Sequence, residues 1–220
     1  MTAFTLNVVQ QLKDKLNSQR DGMDEQLSTR LHRAISWLQS AEESSNSDME
    51  FIALWISFSA CCAIDQQGDQ PLGHHDQFVH FIEQLVILDG EKRIYSCLWE
   101  EYSGHVKALI RNPYVFHDFW VSKREGDDLW KAKFDQSSIQ ALNALSRQRV
   151  AELCSIVLDR LFVLRNQLVY GGATYKGRVN RDQVEDGAGL LGTLVPIMIE
   201  VMLSADQEHW GDIAYPVINN

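Results

Sequence analysis

Near the C-terminal end of the chain, in "RLFVLRNQLVYGGATYKGRVNRDQV", Arg165 and Asn166 are followed four residues later by Tyr170, just before a glycine doublet. Residues four apart stand one above the other on a helix, so Asn166 and Tyr170 share a face, with Arg165 about 100° round. A guanidinium can grip a phosphate or carboxylate through two parallel hydrogen bonds. A phenol can donate a hydrogen bond or stack on a base. A plainer reading also exists, because a cation in a last turn complements the helix dipole. Lys176, Arg178 and Arg181 follow within a few residues. They make a small basic patch, suited to RNA-backbone contact or to simple solvation.

Other constellations carry less. Arg111 and His117 in "RNPYVFH" are a formal candidate for a catalytic Arg–His couple, but Pro113 interrupts any helix between them, and an aromatic-rich packing segment accounts better for the stretch. His74, His75, Asp76 and His80 in "GHHDQFVH" lack the spacing that brings three or four ligands onto one metal, so polar loop and helix-start residues are expected there and no metal. Neither a nucleophile elbow nor a phosphate-binding glycine loop occurs, and no cofactor is expected. The four cysteines, Cys61, Cys62, Cys97 and Cys154, sit in apolar runs without a C-x-x-C pair. Buried reduced thiols are expected.

The elements that must carry these groups read as helices. The chain has 220 residues, 45% of them hydrophobic and 23% charged, enough for one sizeable core. Only four prolines occur, and none between Pro113 and Pro196. Leu27, Leu31, Ala34, Ile35 and Leu38 make one helical face, and Ser47 or Asp48 can cap the next helix. Val150, Cys154, Val157, Leu161, Leu164 and Leu168 step by four and three along another, which Gly171 or Gly172 can close with a left-handed cap. The expected fold is an all-α bundle of about five main helices, with an irregular aromatic-rich insertion near 112–136. Residues 1–22 are expected as an N-terminal helix or arm and 23–210 as the domain. The net charge of −10 argues against a general nucleic-acid coat protein, while leaving room for a local basic site. No signal peptide or membrane span is expected, so the protein is read as cytoplasmic.

"LRNQLVYGGATY…VNRDQVEDGAGLLGTLVPIMI" resembles the terminal helices of HEPN domains, in particular the Apea-like branch. "RAISWLQSAEESSNSDMEFIALWISFSA" is similar to that branch's paired N-terminal helices, and "IRNPYVFHDFW" to its aromatic segment. Together these cover about residues 30–205. The resemblance implies an up-and-down helical bundle and a metal-independent ribonuclease of toxin–antitoxin or phage-defence type. It also implies a homodimer that joins two copies of an Arg, four-to-six residue, His motif into one RNA-cleaving site. Arg165 matches the motif's arginine and Asn166 its polar neighbour, but Tyr170 stands where the histidine belongs. Imidazole titrates near ~6.5 and can take and give a proton at neutral pH, whereas a phenol titrates near ~10. Loss of a positioned acid–base group costs roughly 10²–10⁴-fold. The expectation is an RNA-directed protein, with an antitoxin or other protein as a further partner, whose cleavage is weakened or lost. The alternative is a non-enzymatic dimerisation or protein-interaction module.

Overall fold

A computed structural model of the chain describes residues 5–65 and 74–218, with side chains from 8 in the first segment and from 78 in the second. It is an all-α bundle. In chain order the helices are α1 (Thr5–Gln19), α2 (Glu25–Glu42), α3 (Ser47–Cys62), α4 (His74–Leu88), α5 (Arg93–Ser96), α6 (Ser103–Arg111), α7 (His117–Glu125), α8 (Trp130–Ser146), α9 (Val150–Val169) and α10 (Arg181–Ser204). The only strand-like pairing among the described residues is an isolated bridge between Ile64 and Ile213.

The layout follows from which faces are apolar. α2 buries the predicted face, from Leu27 through Leu31, Ala34 and Ile35 to Leu38. α3 is apolar nearly all round and lies between α2 and α10, with Phe51, Leu54, Trp55 and Phe58 buried. Each such side chain contributes about 1.5–3 kcal/mol on leaving water. α1 packs on α2 and α10 through Val9, Leu12 and Leu16. α10 has the length and hydropathy of a membrane-crossing helix, but 61% of its apolar window is buried inside the bundle. Gly187 lets α10 press against its neighbours: a Cβ there would lie 2.9 Å from Phe51 Cε2 and 3.0 Å from Leu161 Cδ2.

Three local expectations shift. The cap of α3 is Asn46, whose side chain accepts from the Met49 amide at 3.1 Å. This leaves Asp48 free for another role. The stripe Ile94, Cys97, Leu98 and Tyr102 predicts one helix that runs until Asn112-Pro113 stops it, but a π-helical turn over Cys97–Glu101 interrupts it, with the Tyr102 amide donating to the Cys97 carbonyl at 3.0 Å. The aromatic-rich stretch 112–136, expected to be irregular, is mostly helical. A 3-10 turn over Pro113–Val115 leads into α7, Gly126 closes α7 at φ +77°, and α8 begins at Trp130. Phe116, Phe119, Trp120, Trp130 and Phe134 pack edge to face there. Aromatic rings on several sides of two short helices blur the 3.6-residue period that a sequence reading relies on.

Two further features seal the core. Arg30, 1% exposed, donates through Nη1 to the Cys61 and Ala63 carbonyls at 2.7 and 3.0 Å, and through Nη2 to the Gly211 carbonyl at 2.9 Å. It ties the end of α3 to the C-terminal segment. All four cysteines are free and buried. Burial pushes their thiols up, those of Cys62 and Cys154 to about 12.

Candidate functional site

α9 delivers the Arg165 group. Its core stripe is buried at Cys154, Val157, Leu161 and Leu164, which fixes the helix's rotation. Arg165 and Asn166 are therefore held half-buried and Tyr170 outward. The helix stops at Tyr170. Gly171, at φ +71°, donates its amide to the Leu168 carbonyl at 3.2 Å, and Gly172 donates to the Gln167 carbonyl at 2.7 Å. This is the paired 5→2 and 6→1 arrangement of a Schellman cap.

At that tip, Arg165 Nη1 donates to Asn166 Oδ1 at 2.9 Å. No carboxylate pairs with Arg165 among the described residues. Tyr170 is 79% exposed, and Val169, Tyr175 and Val179 are exposed beside it in sequence. Gln167 anchors the last turn: its Nε2 donates to the Tyr114 carbonyl at 2.6 Å, and its Oε1 accepts from Asn180 Nδ2 at 2.7 Å.

The three loop cations also come together. Lys176, Arg178 and Arg181 line one open basin of about 530 Å³ with Asn46, Ser47 and Glu185, between the starts of α3 and α10. They are not equivalent. Lys176 and Arg178 are exposed, and Lys176 Nζ lies 5.3 Å from the Tyr175 ring centroid. Arg181 is held in place. Its Nη1 meets Asp48 Oδ1 at 2.9 Å, its Nη2 donates to Asp48 Oδ2 at 3.2 Å, and its Nε donates to the Gly177 carbonyl at 3.0 Å. Asp48 Oδ2 also accepts from the Lys176 amide at 2.7 Å. Burial alone would raise the Asp48 carboxyl, but the hydrogen bonds from Arg181 and the Lys176 amide, with both positive charges, hold it below the ordinary range. Arg181 thus braces the loop, and Lys176 and Arg178 are the cations left for an incoming anion. The Arg165 group does not line this basin.

Arg111 and His117 do not form a pair on one helix, since Arg111 ends α6 and His117 begins α7. The side chains of His74, His75 and Asp76 lie outside the described residues, and His80 is exposed. Among the described residues no group of three or more His, Cys, Asp or Glu side chains converges as a metal site.

A further cleft of about 850 Å³, with no counterpart among the sequence-predicted sites, lies between α4, α7, α8 and α9. Arg160 and Ser155 line it although both are buried. One signal was visible: Asp159 and Arg160 stand as a charged doublet inside the otherwise apolar run Ile156–Leu164. Comparison with protein-family models, curated proteins and solved structures finds no match.

Proposed function

We propose that the chain is an RNA-directed protein of HEPN type, in which Arg165 and Asn166 receive a backbone phosphate and Tyr170 occupies the place of the proton-transferring imidazole. The observation that carries this reading is the state of Arg165: half-buried, oriented by Asn166, and free of any acid partner among the described residues. The exposed Lys176 and Arg178 supply further phosphate contacts nearby in the chain. The exposed Val169, Tyr170, Tyr175 and Val179 offer apolar area for a second copy, which would bring two Arg165 tips together.

In such a site a ribose 2′-oxygen attacks the adjacent phosphorus and the bond to the 5′-oxygen breaks. One proton leaves the 2′-hydroxyl and another reaches the leaving oxygen. Arg165 stabilises the charge on the phosphoryl oxygens. Proton transfer is the part for which a phenol is poorly suited, so cleavage by the chain as it stands is weak or absent.

The second reading, a module that binds through the same tip without chemistry, is favoured by Tyr170 itself. One experiment separates them: RNA cleavage by the parent, by Tyr170→His, and by Tyr170→His combined with Arg165→Ala. The nuclease-derived reading expects Tyr170→His to gain roughly 10²–10⁴-fold and the combined variant to lose that gain. Cleavage equal in all three would leave only the binding module.

A further inference from the structure

The cleft between α4, α7, α8 and α9 holds a cation in an unusual state. Arg160 is 3% exposed, yet no carboxylate forms an ion pair with it among the described residues. Its Nη2 donates to Ser137 Oγ at 2.8 Å. Its guanidinium carbon lies 4.4 Å from the Phe116 ring centroid and 5.6 Å from that of Phe134. Nη1 makes no hydrogen bond to any described residue, and Nε is buried without a partner. Ser155, 6% exposed and also a lining residue of this cleft, has a buried hydroxyl that is likewise unpartnered. Buried donors are nearly always satisfied, and two unmet ones lining a single cleft point to an absent acceptor.

The rest of the lining narrows what that acceptor can be. Val115, Phe116, Ile156, Phe162 and Val163 make the wall largely apolar. The carboxylates are Glu83, Asp118, Glu152 and Asp159. Lys133 pairs with Asp118 at 3.3 Å and Arg149 with Glu152 at 2.7 Å. The lining thus sets four carboxylates against a single arginine, which opposes any ligand that carries several negative charges. Nucleic acid is therefore a poor occupant, and this cleft is separate from the RNA surface proposed at the α9 tip. The volume of about 850 Å³ is ample for a small organic molecule.

We propose that the cleft binds a small apolar monocarboxylate, with its carboxylate on Arg160 and its body against Phe116 and the apolar wall. The carboxylate supplies the acceptor that the buried guanidinium lacks, and the Ser155 hydroxyl offers a second donor. Burial pushes Arg160 down to about 10, opposed by the charge of Asp159, so the side chain stays cationic at neutral pH.

The test titrates the full chain with phenylacetate, with phenylacetamide as the neutral isostere, and with inorganic phosphate. Binding is followed by calorimetry and by the NMR signal of the Arg160 Nε–H. Phenylacetate should bind saturably, one per chain, and shift that signal. Phenylacetamide should bind at least about tenfold more weakly, because it cannot form the charge-assisted pair. Phosphate, lacking the apolar body, should also bind weakly. Arg160→Lys keeps a charge but loses the planar fork and should weaken phenylacetate about tenfold. Ser155→Ala, a small change, should weaken it severalfold, and it stands in if the Arg160 variant fails to fold. No saturable phenylacetate binding, equal binding of the neutral isostere, or parent-like binding by both variants would each overturn the proposal. The RNA-cleavage experiment does not touch this site, so the two proposals fail separately.

Discussion

Asp48, buried in the first turn of α3, and Arg181, the first residue of α10, face each other fork to fork across 133 residues of sequence, at 2.9 and 3.2 Å. Removing either partner should not cost the same. Arg181→Ala strands a buried carboxylate with only the Lys176 amide, and we expect a loss of about 2–3 kcal/mol. Asp48→Asn keeps an acceptor for that amide and leaves a guanidinium that can turn toward water, so it should cost less. Urea unfolding of both variants checks the order; a larger loss for Asp48→Asn would mean that the brace is misassigned.

The same pair sets a pH dependence. The Asp48 carboxyl in the folded chain is held below its ordinary value of 3.8. A depressed folded value stabilises the native state while the carboxyl is ionised in both states. The contribution is thus complete above the ordinary value and is lost as pH falls from there through the lower folded value. Acid titration of unfolding free energy should show Arg181→Ala converging on the parent in that window. A gap that stays constant down to the lowest pH would contradict it.

Gly171 closes α9 at φ +71°, and a Cβ there would touch nothing within 4 Å. The cost of Gly171→Ala is therefore backbone strain alone, about 1 kcal/mol. For a chain of this size that lowers Tm by roughly 2–4 °C. A thermal melt that does not move would show that the left-handed cap is dispensable.

Gly187 is the opposite case. Its backbone is helical and alanine would ordinarily help, but the added Cβ meets Phe51 and Leu161 at 2.9 and 3.0 Å. Gly187→Ala should destabilise by about 1–3 kcal/mol through overpacking. A stabilised variant would mean that α10 stands further from α3 and α9 than described.

The parts of this molecule that were legible in sequence are those written in local spacing. The three-and-four steps from Cys154 to Leu164 gave α9 and its rotation, and the glycine doublet gave its end. That spacing also placed Arg165, Asn166 and Tyr170 at one helix tip, where the structure has them. The partner of Arg181 was illegible because Asp48 is remote in sequence and close only after α3 and α10 pack. Asp48 looked instead like a candidate cap, a role that Asn46 fills two residues earlier. Arg160 stayed hidden for a related reason. A charged side chain in an apolar run reads as a snorkelling surface residue until Phe116 and Ser137 arrive from other elements to enclose it.

The four sealed thiols turn the chain into its own stopwatch. With Cys61, Cys97 and Cys154 shut in and Cys62 nearly so, a maleimide labels only molecules that have come apart. The pace of labelling then reports how often the bundle opens, region by region, without any added probe.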